Sequence, residues 1–337
     1  MDNRLLARLN YEPEHEEMAP VPWPDGLAPA PISSDAPAGG PLPPGDVLVV
    51  TWTAAEFMAL ADVLTPGVPK TDWAHYTENW ASYVPQLTDK SPAKTAGRLG
   101  EYALTQIGTK RVVCFHSELH LATDGPEPPI VQLWQQIIPE VNPQLVITSG
   151  TAGGIGPSTE LGDVFVVSNA KFNCTKTFAA KPWAQERFVG TLLPAPPAVT
   201  DTYLAEAQSS LLPVNAEQLH PLATRDPEVG VGGDVETVDY FGFADTDDSY
   251  GIAKNDPLAH TEEMDDATLP LALSLVTTAE IANIPWLSVR NASDPEVPSS
   301  IGNLEAQAKW ASEIYEKYGY WTTVGSAIVC WAVIADL

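Results

Sequence analysis

Three acidic spots stand out along the chain: Glu56, the run "EEMDDA" at 262–267, and Asp294 in "VRNASDP". Glu56 follows the first apolar run, "EEMDDA" opens a long helix-like segment, and Asp294 closes a strand-like one. Open α/β sheets bind their ligands at such strand ends and helix openings. Carboxyl groups placed there can divide acid and base work. One held neutral by burial can donate a proton, and one left ionised can take a proton from water. Each spot also has a plainer reading. Asp294 suits the cap of the following turn, and Glu262 to Asp266 suit the positive end of a helix.

Beside these acids stands "TSGTAGGIGPSTELGD", 148–163, with five glycines directly after the apolar run "PQLVI". Glycine serves where the chain needs unusual dihedrals or where something must approach the main chain closely. The segment is neither G-x-x-x-x-G-K-[ST] nor a G-x-G-x-x-G that opens a helix, since "DVFVVSNA", a strand-like run, follows it. Any cradle that this glycine loop forms is of another kind. His116 and His120 in "FHSELH" are four residues apart, but further ligands are not near in sequence, so they read as pocket rim or structure. The reading calls for no metal and no cofactor.

The composition narrows the partners. Of 337 residues, 44 are acidic and 17 basic, a net charge of −27. That field repels nucleic acid and anionic lipid, and it disfavours a highly anionic substrate unless the few arginines converge on it. Cys114, Cys174 and Cys330 lack metal-type spacing and read as reduced thiols of a cytoplasmic protein. The first residues contain no apolar core of a secretory signal. Residues 318–335 carry no charge, yet threonines, glycine and serine interrupt the run. A final helix packed on the core is expected there, and no membrane span.

Residues 1–45 form a Pro-rich arm, extended or partly disordered, with Trp23 as an anchor on its own domain or on a neighbouring subunit. From 46 to 337 strand-like runs ("DVLVVT", "KRVVCFHS", "PQLVITS", "GDVFVVSNA", "IPWLSVRNASD") alternate with helix-like ones ("AAEFMALADVL", "PIVQLWQQIIPEV", "DATLPLALSLVTTAEIAN"). Two helical segments end the chain, with Gly319 as the stop between them. The expected fold is α/β, a single domain with a central mixed sheet flanked by helices.

These segments resemble the nucleoside phosphorylase/nucleosidase superfamily, and within it the branch of 5′-methylthioadenosine/S-adenosylhomocysteine nucleosidases. "SGTAGGIGPSTELGDVFVV" is similar to that family's glycine-rich segment, "EEMDDA" to its "VEMEGA" or "VEMEAT", and "VRNASDP" to its "VRAISD". "VLVVTWTAAEFMALADVL" lines up with the strand and helix that carry the nucleosidases' catalytic glutamate, on which Glu56 falls. The four segments occur in the family's order over most of residues 46–300. The resemblance implies that Thr151, Ala152 and Gly153 lie against a nucleoside. It implies that Glu263, Met264 and Asp265 bind the ribose, that Asp294 serves the purine ring, and that Glu56 activates water. Val235, Glu236 and Phe241 fall in the segment that stacks on the base. It further implies a homodimer or larger assembly.

The chemistry suits those residues. Cleavage of an N-glycosidic bond passes through an oxocarbenium-like state, with an acid at the leaving base and a carboxylate directing water from the opposite face. Two departures from the family touch the sugar: Asp265 replaces a glutamate, one methylene longer, and Asp266 replaces a small residue. Phosphorylases of the superfamily hold phosphate with arginines, and "TWTAAEF" and "FHSELHLATDG" contain none. Hydrolysis is therefore expected over phosphorolysis, and a purine over a pyrimidine because "SD" supplies an acid for the base. A phosphorylase and a nucleoside-binding protein without turnover are the alternatives.

Overall fold

The computed structural model describes residues 17–34, 36–190, 202–220 and 222–337. In chain order its strands are β1 (Ala30–Ile32), β2 (Val47–Thr51), β3 (Ala74–Tyr76), β4 (Gly100–Ile107), β5 (Lys110–Ser117), β6 (Leu145–Gly154) and β7 (Val164–Val167). There follow β8 (Asn169–Asn173), β9 (Arg187–Val189), β10 (Val229–Val231), β11 (Asp234–Val238), β12 (Ala259–Glu263) and β13 (Trp286–Asp294). Four helices matter for the site and the core: α1 (Ala54–Leu64), α2 (Pro129–Val141), α3 (Thr268–Ser274) and α4 (Leu304–Ala335). The result is a mixed α/β fold around one mixed sheet, as the alternation of runs predicts.

The sheet is organised around β6. Its first half runs parallel to β2 on one side and to β13 on the other. Its last residues, Gly153 and Gly154, meet β12 in antiparallel fashion. β2 continues to β5 and the antiparallel β4, while β12 continues through β11 to β8. β7 lies antiparallel on the far side of β13. Every residue of β2 and of β13 is buried, as expected for strands covered on both faces. Alternate residues divide between two cores. Val47 and Val49 pack with α1 and α4, while Leu48 and Val50 pack with α2 and α3.

Local signals explain the helix starts. Thr53 and Glu56 form a capping box at α1: the Thr53 side chain accepts from the Glu56 N–H, and the Glu56 carboxylate accepts from the Thr53 N–H. α2 opens on Pro129, where a missing N–H is harmless, and ends at Asn142 in the left-handed region.

Several expectations are corrected. The glycine-rich segment is no loop at its start, because residues 150–154 continue β6. "EEMDDA" does not open a helix: Glu262 and Glu263 end β12, and α3 starts only at Thr268. Their carboxylates are thus placed by strand pairing, not by a helix dipole. The segment "DATLPLALSLVTTAEIAN" breaks after Ser274, with a second short turn at Ala279–Ala282. Pro270 sits in the first turn of α3, where proline is tolerated. "GDVFVVSNA" is two strands, β7 and β8.

The chain does not stop at Gly319 either. α4 is continuous over 32 residues, long and apolar enough to cross a membrane, with 94% of its most apolar window buried inside the protein. A glycine inside a helix costs about 1 kcal/mol relative to alanine. Here it makes room: a Cβ on Gly319 would lie 3.1 Å from the Tyr315 ring.

Of the Pro-rich arm, residues 1–16 lie outside the described residues. The remainder packs on its own chain. β1 adds antiparallel to β4, Leu42 enters the core, and Trp23 lies 4.8 Å from Trp331 between ring centroids. The Trp331 indole N–H donates to the Leu27 carbonyl at 2.7 Å. Trp23→Ala should therefore lower unfolding free energy by about 1–2 kcal/mol, below the range for a fully buried tryptophan because Trp23 is only partly buried. Urea denaturation followed by circular dichroism checks this, and an unchanged midpoint would mean that the arm contributes nothing.

Candidate functional site

A cavity that is partly open to solvent lies where β2, β6, β12 and β13 end. Clefts of this kind, with polar groups converging in them, are the usual places for small molecules to bind. Its walls include Trp52, Glu56, His120, Thr151, Phe241 and Glu262, with Ala152, Gly153, Glu263, Met264, Asp265 and Arg290. Eight of the sequence-nominated residues thus share one cavity.

Glu56 is 1% exposed and held from both sides. One carboxylate oxygen accepts from Thr51 Oγ1 at 3.0 Å, the Trp52 N–H at 2.8 Å and the Thr53 N–H at 2.9 Å. The other accepts from the Thr151 N–H at 2.8 Å and Thr151 Oγ1 at 2.6 Å. The strand must come this close, which answers why it is bare. A Cβ on Gly150 would sit 2.3 Å from the Glu56 carboxyl carbon. At Gly153 a Cβ would sit 2.3 Å from Glu262 Oε1. The glycines make room for the cavity's own carboxylates.

Arg290, on β13, gathers the acids. Its Nε donates to Asp266 Oδ2 at 2.9 Å, and its Nη2 reaches Asp266 Oδ1 and, at 3.3 Å, Glu263 Oε2. Nη1 donates to the Thr151 carbonyl at 3.2 Å and lies 3.6 Å from Glu56 Oε1. The guanidinium also lies over the Trp52 ring, 5.0 Å from its centroid. Burial works against its charge, but Asp266, Glu263 and Glu56 outweigh that and hold its pKa above the ordinary arginine value. Asp266, one of the two departures from the family pattern, is thus a ligand of this arginine.

Glu263 braces the turn that follows it. Its carboxyl oxygens accept from Thr237 Oγ1, from the Asp265 N–H at 2.6 Å and from the Asp266 N–H at 3.0 Å. Burial, then Asp266 and Asp265, push its pKa well up, against the pull of Arg290. Asp265 accepts from the Leu121 N–H at 2.8 Å and faces His120 Nδ1 at 3.3 Å. For His120 burial again opposes charge, but Asp265, Asp124 and Glu118 prevail and raise its pKa. His116 differs: burial lowers its pKa, its ring stacks on Phe57, and Nε2 lies 2.8 Å from the Trp52 carbonyl. His116 therefore supports the α1 entry, while His120 lines the cavity.

Asp294 is 2% exposed and ends β13, where it pairs in register with Gly153. Its neighbour Ser293 lines the cavity and donates to Asp294 Oδ1 at 2.9 Å. Along β6, Thr151, which Glu56 grips, and Gly153, which Asp294 faces, are two residues or about 7 Å apart.

Val235 and Glu236 stand apart from the cavity walls. Both sit within β11, Val235 in the core and Glu236 bonded to Asn255 Nδ2 at 2.8 Å. Of that segment only Phe241, with Gly242, reaches the cavity. The period of a strand explains the difference, since β11 buries both of its faces before the chain turns toward the site. Wall residues that sequence reasoning missed include Trp52, Tyr315 and the Arg290 cluster as a unit. Tyr315 comes from α4, some 260 residues from Thr53, whose Oγ1 accepts from the Tyr315 hydroxyl at 3.0 Å.

A mixed sheet with a carboxylate-walled cavity at its strand ends defines an α/β protein with a small-molecule site. The chain belongs to the phosphorylase superfamily, whose family model matches residues 80–317. Among solved structures it is similar in fold to the 5′-methylthioadenosine/S-adenosylhomocysteine nucleosidase of Helicobacter pylori. The two are 12% identical, with 88% of this chain and 100% of that one covered and a TM-score of 0.54. It is likewise similar to the futalosine hydrolase of Helicobacter pylori, at 12% identity, 86% and 97% coverage and a TM-score of 0.53. No curated protein sequence matches it.

Burial, with Asp256 adding to it, pushes Glu236 up to about 7, against Asn255, Asn173 and Lys171. A carboxyl raised on folding binds its proton more tightly in the folded state, so stability falls as pH rises from its unfolded value toward 7. Glu236→Gln keeps the acceptor for Asn255 and removes the ionisation. Its melting temperature relative to wild type should be higher at pH 8 than at pH 5, and a pH-independent difference would refute the assignment.

Proposed function

We propose that the protein is a purine nucleosidase that hydrolyses the N-glycosidic bond of an adenine nucleoside. Methylthioadenosine, S-adenosylhomocysteine or a related nucleoside is the substrate class. Phe241 borders the base, Met264 and Asp265 take the sugar, Glu56 orients and deprotonates water, and Asp294 serves the leaving purine as acid. A cavity walled by carboxylates favours the positive charge that develops on the sugar as the bond breaks.

The observation that carries hydrolysis over phosphorolysis is the state of Arg290. Among the described residues that line the cavity it is the only lysine or arginine, and three carboxylates already surround it. A phosphate dianion needs strong cationic partners, and Glu56 would repel it. Superfamily membership and the nucleosidase-like fold support the same reading. A homodimer or larger assembly and a cytoplasmic location belong to it as well.

Purified protein is incubated with methylthioadenosine, S-adenosylhomocysteine, adenosine and inosine, with and without phosphate, and the free base is quantified. Release of adenine at equal rates in both conditions is expected. Strict dependence on phosphate identifies a phosphorylase, and no release from any nucleoside points to a binding protein.

Asp294→Asn keeps the shape of the side chain but cannot deliver a proton. It should lower kcat by roughly 10²–10⁴-fold, the usual worth of general acid catalysis, with little change in nucleoside affinity. Near-normal kcat in the folded variant removes Asp294 from the mechanism.

A further inference from the structure

Asp265 sits where the nucleosidase reading places the sugar, and the inference below rests on that reading. Both of its carboxylate oxygens are engaged by the 120–121 segment: Oδ1 by the Leu121 N–H at 2.8 Å and Oδ2 by His120 Nδ1 at 3.3 Å. The shorter acid is thus drawn toward the imidazole. His120 is itself 4% exposed and lines the cavity. Its backbone N–H donates to Asp124 Oδ2, and Asp124 in turn accepts from Ser91 Oγ at 2.6 Å. The residue is therefore fixed at its backbone and at one ring nitrogen. Among the described residues its other ring nitrogen, Nε2, has no hydrogen-bond partner.

We infer that His120 is a second sugar-contacting residue, with Asp265 orienting the ring through Nδ1 and Nε2 bonding a ribose hydroxyl next to the one Asp265 takes. A buried polar nitrogen on a cavity wall gains most when a ligand supplies its partner. The pairing also accounts for the missing methylene of Asp265: the imidazole covers the distance that the shorter carboxylate gives up. Neighbouring charge favours this role. Asp265, Asp124 and Glu118 surround the ring and sustain its protonated form, in which Nε2–H donates to a sugar oxygen.

Two substitutions separate contact from scaffolding. His120→Asn places an amide N–H near the position of Nδ1 and leaves nothing at Nε2; His120→Gln reaches the Nε2 position. Calorimetric Kd values for methylthioadenosine and its 2′-deoxy and 3′-deoxy counterparts are measured in the Asp294→Asn background, where hydrolysis is slowed, with His120 and with both variants; kcat and KM are measured with Asp294 in place. His120→Asn should weaken the parent nucleoside about tenfold or more. It should weaken one of the two deoxy nucleosides hardly at all, and His120→Gln should recover part of the loss. An equal loss for all three ligands, or full affinity in His120→Asn, would overturn the contact and leave His120 as scaffolding for Asp265. The binding readout stands apart from turnover. Tight, hydroxyl-dependent binding without base release would sink the nucleosidase reading and keep the His120 contact.

Discussion

One buried guanidinium organises the centre of this protein. Arg290 is 2% exposed and has Asp266, Glu263 and Glu56 around it, the first two from the end of β12 and the turn after it, the third from α1. A buried charge is tolerable only when it is paired and its donors are satisfied. Satisfying Arg290 therefore fixes three things together: the strand β13 that carries it, the turn after β12, and the start of α1. Withdrawing any one acid costs Arg290 a charge partner that holds one of these elements in place. That mutual dependence makes the carboxylates positional as well as chemical.

The bare backbone of β6 follows from the same constraint. For Glu56 to accept from both the α1 entry and the Thr151 N–H, the strand must run against its carboxyl group with no side chain at Gly150. Gly153 is empty for the same reason with respect to Glu262. The glycines are thus a packing solution inside a sheet, and close approach to a ligand is a consequence of it. The long α4 closes the other side. Gly319 gives room to the Tyr315 ring, and the Tyr315 hydroxyl holds Thr53, the cap of the helix that presents Glu56.

Electrostatically the cavity is acidic. Its acids exceed its cations, Arg290 is held by three carboxylates, and His120 is tied to Asp265. Such a field disfavours dianions and favours positive charge.

Much of this was readable in the chain. Alternation of apolar runs set the α/β class, and α1, α2 and β5 fall on the segments that periodicity marks. Short-range chemistry then sets the helix starts: Thr53 with Glu56 three residues on at α1, and Pro129 at α2. Motif order was enough to nominate Glu56, Thr151, Met264 and Asp265, which one cavity brings together. What tertiary structure decided depends on partners far apart in sequence. Gly150 looks like a loop residue until Glu56 is seen against it, and Gly319 looks like a helix stop until Tyr315 fills the space. Asp266 looks like a lost small residue until Arg290 reaches it, and His120 looks like rim until Asp265 turns its ring. Val235 and Glu236 were misplaced because a strand's two faces cannot be assigned before its neighbours are known. Sequence carries the local rules and the residue types; only the fold determines which charges must share one interior.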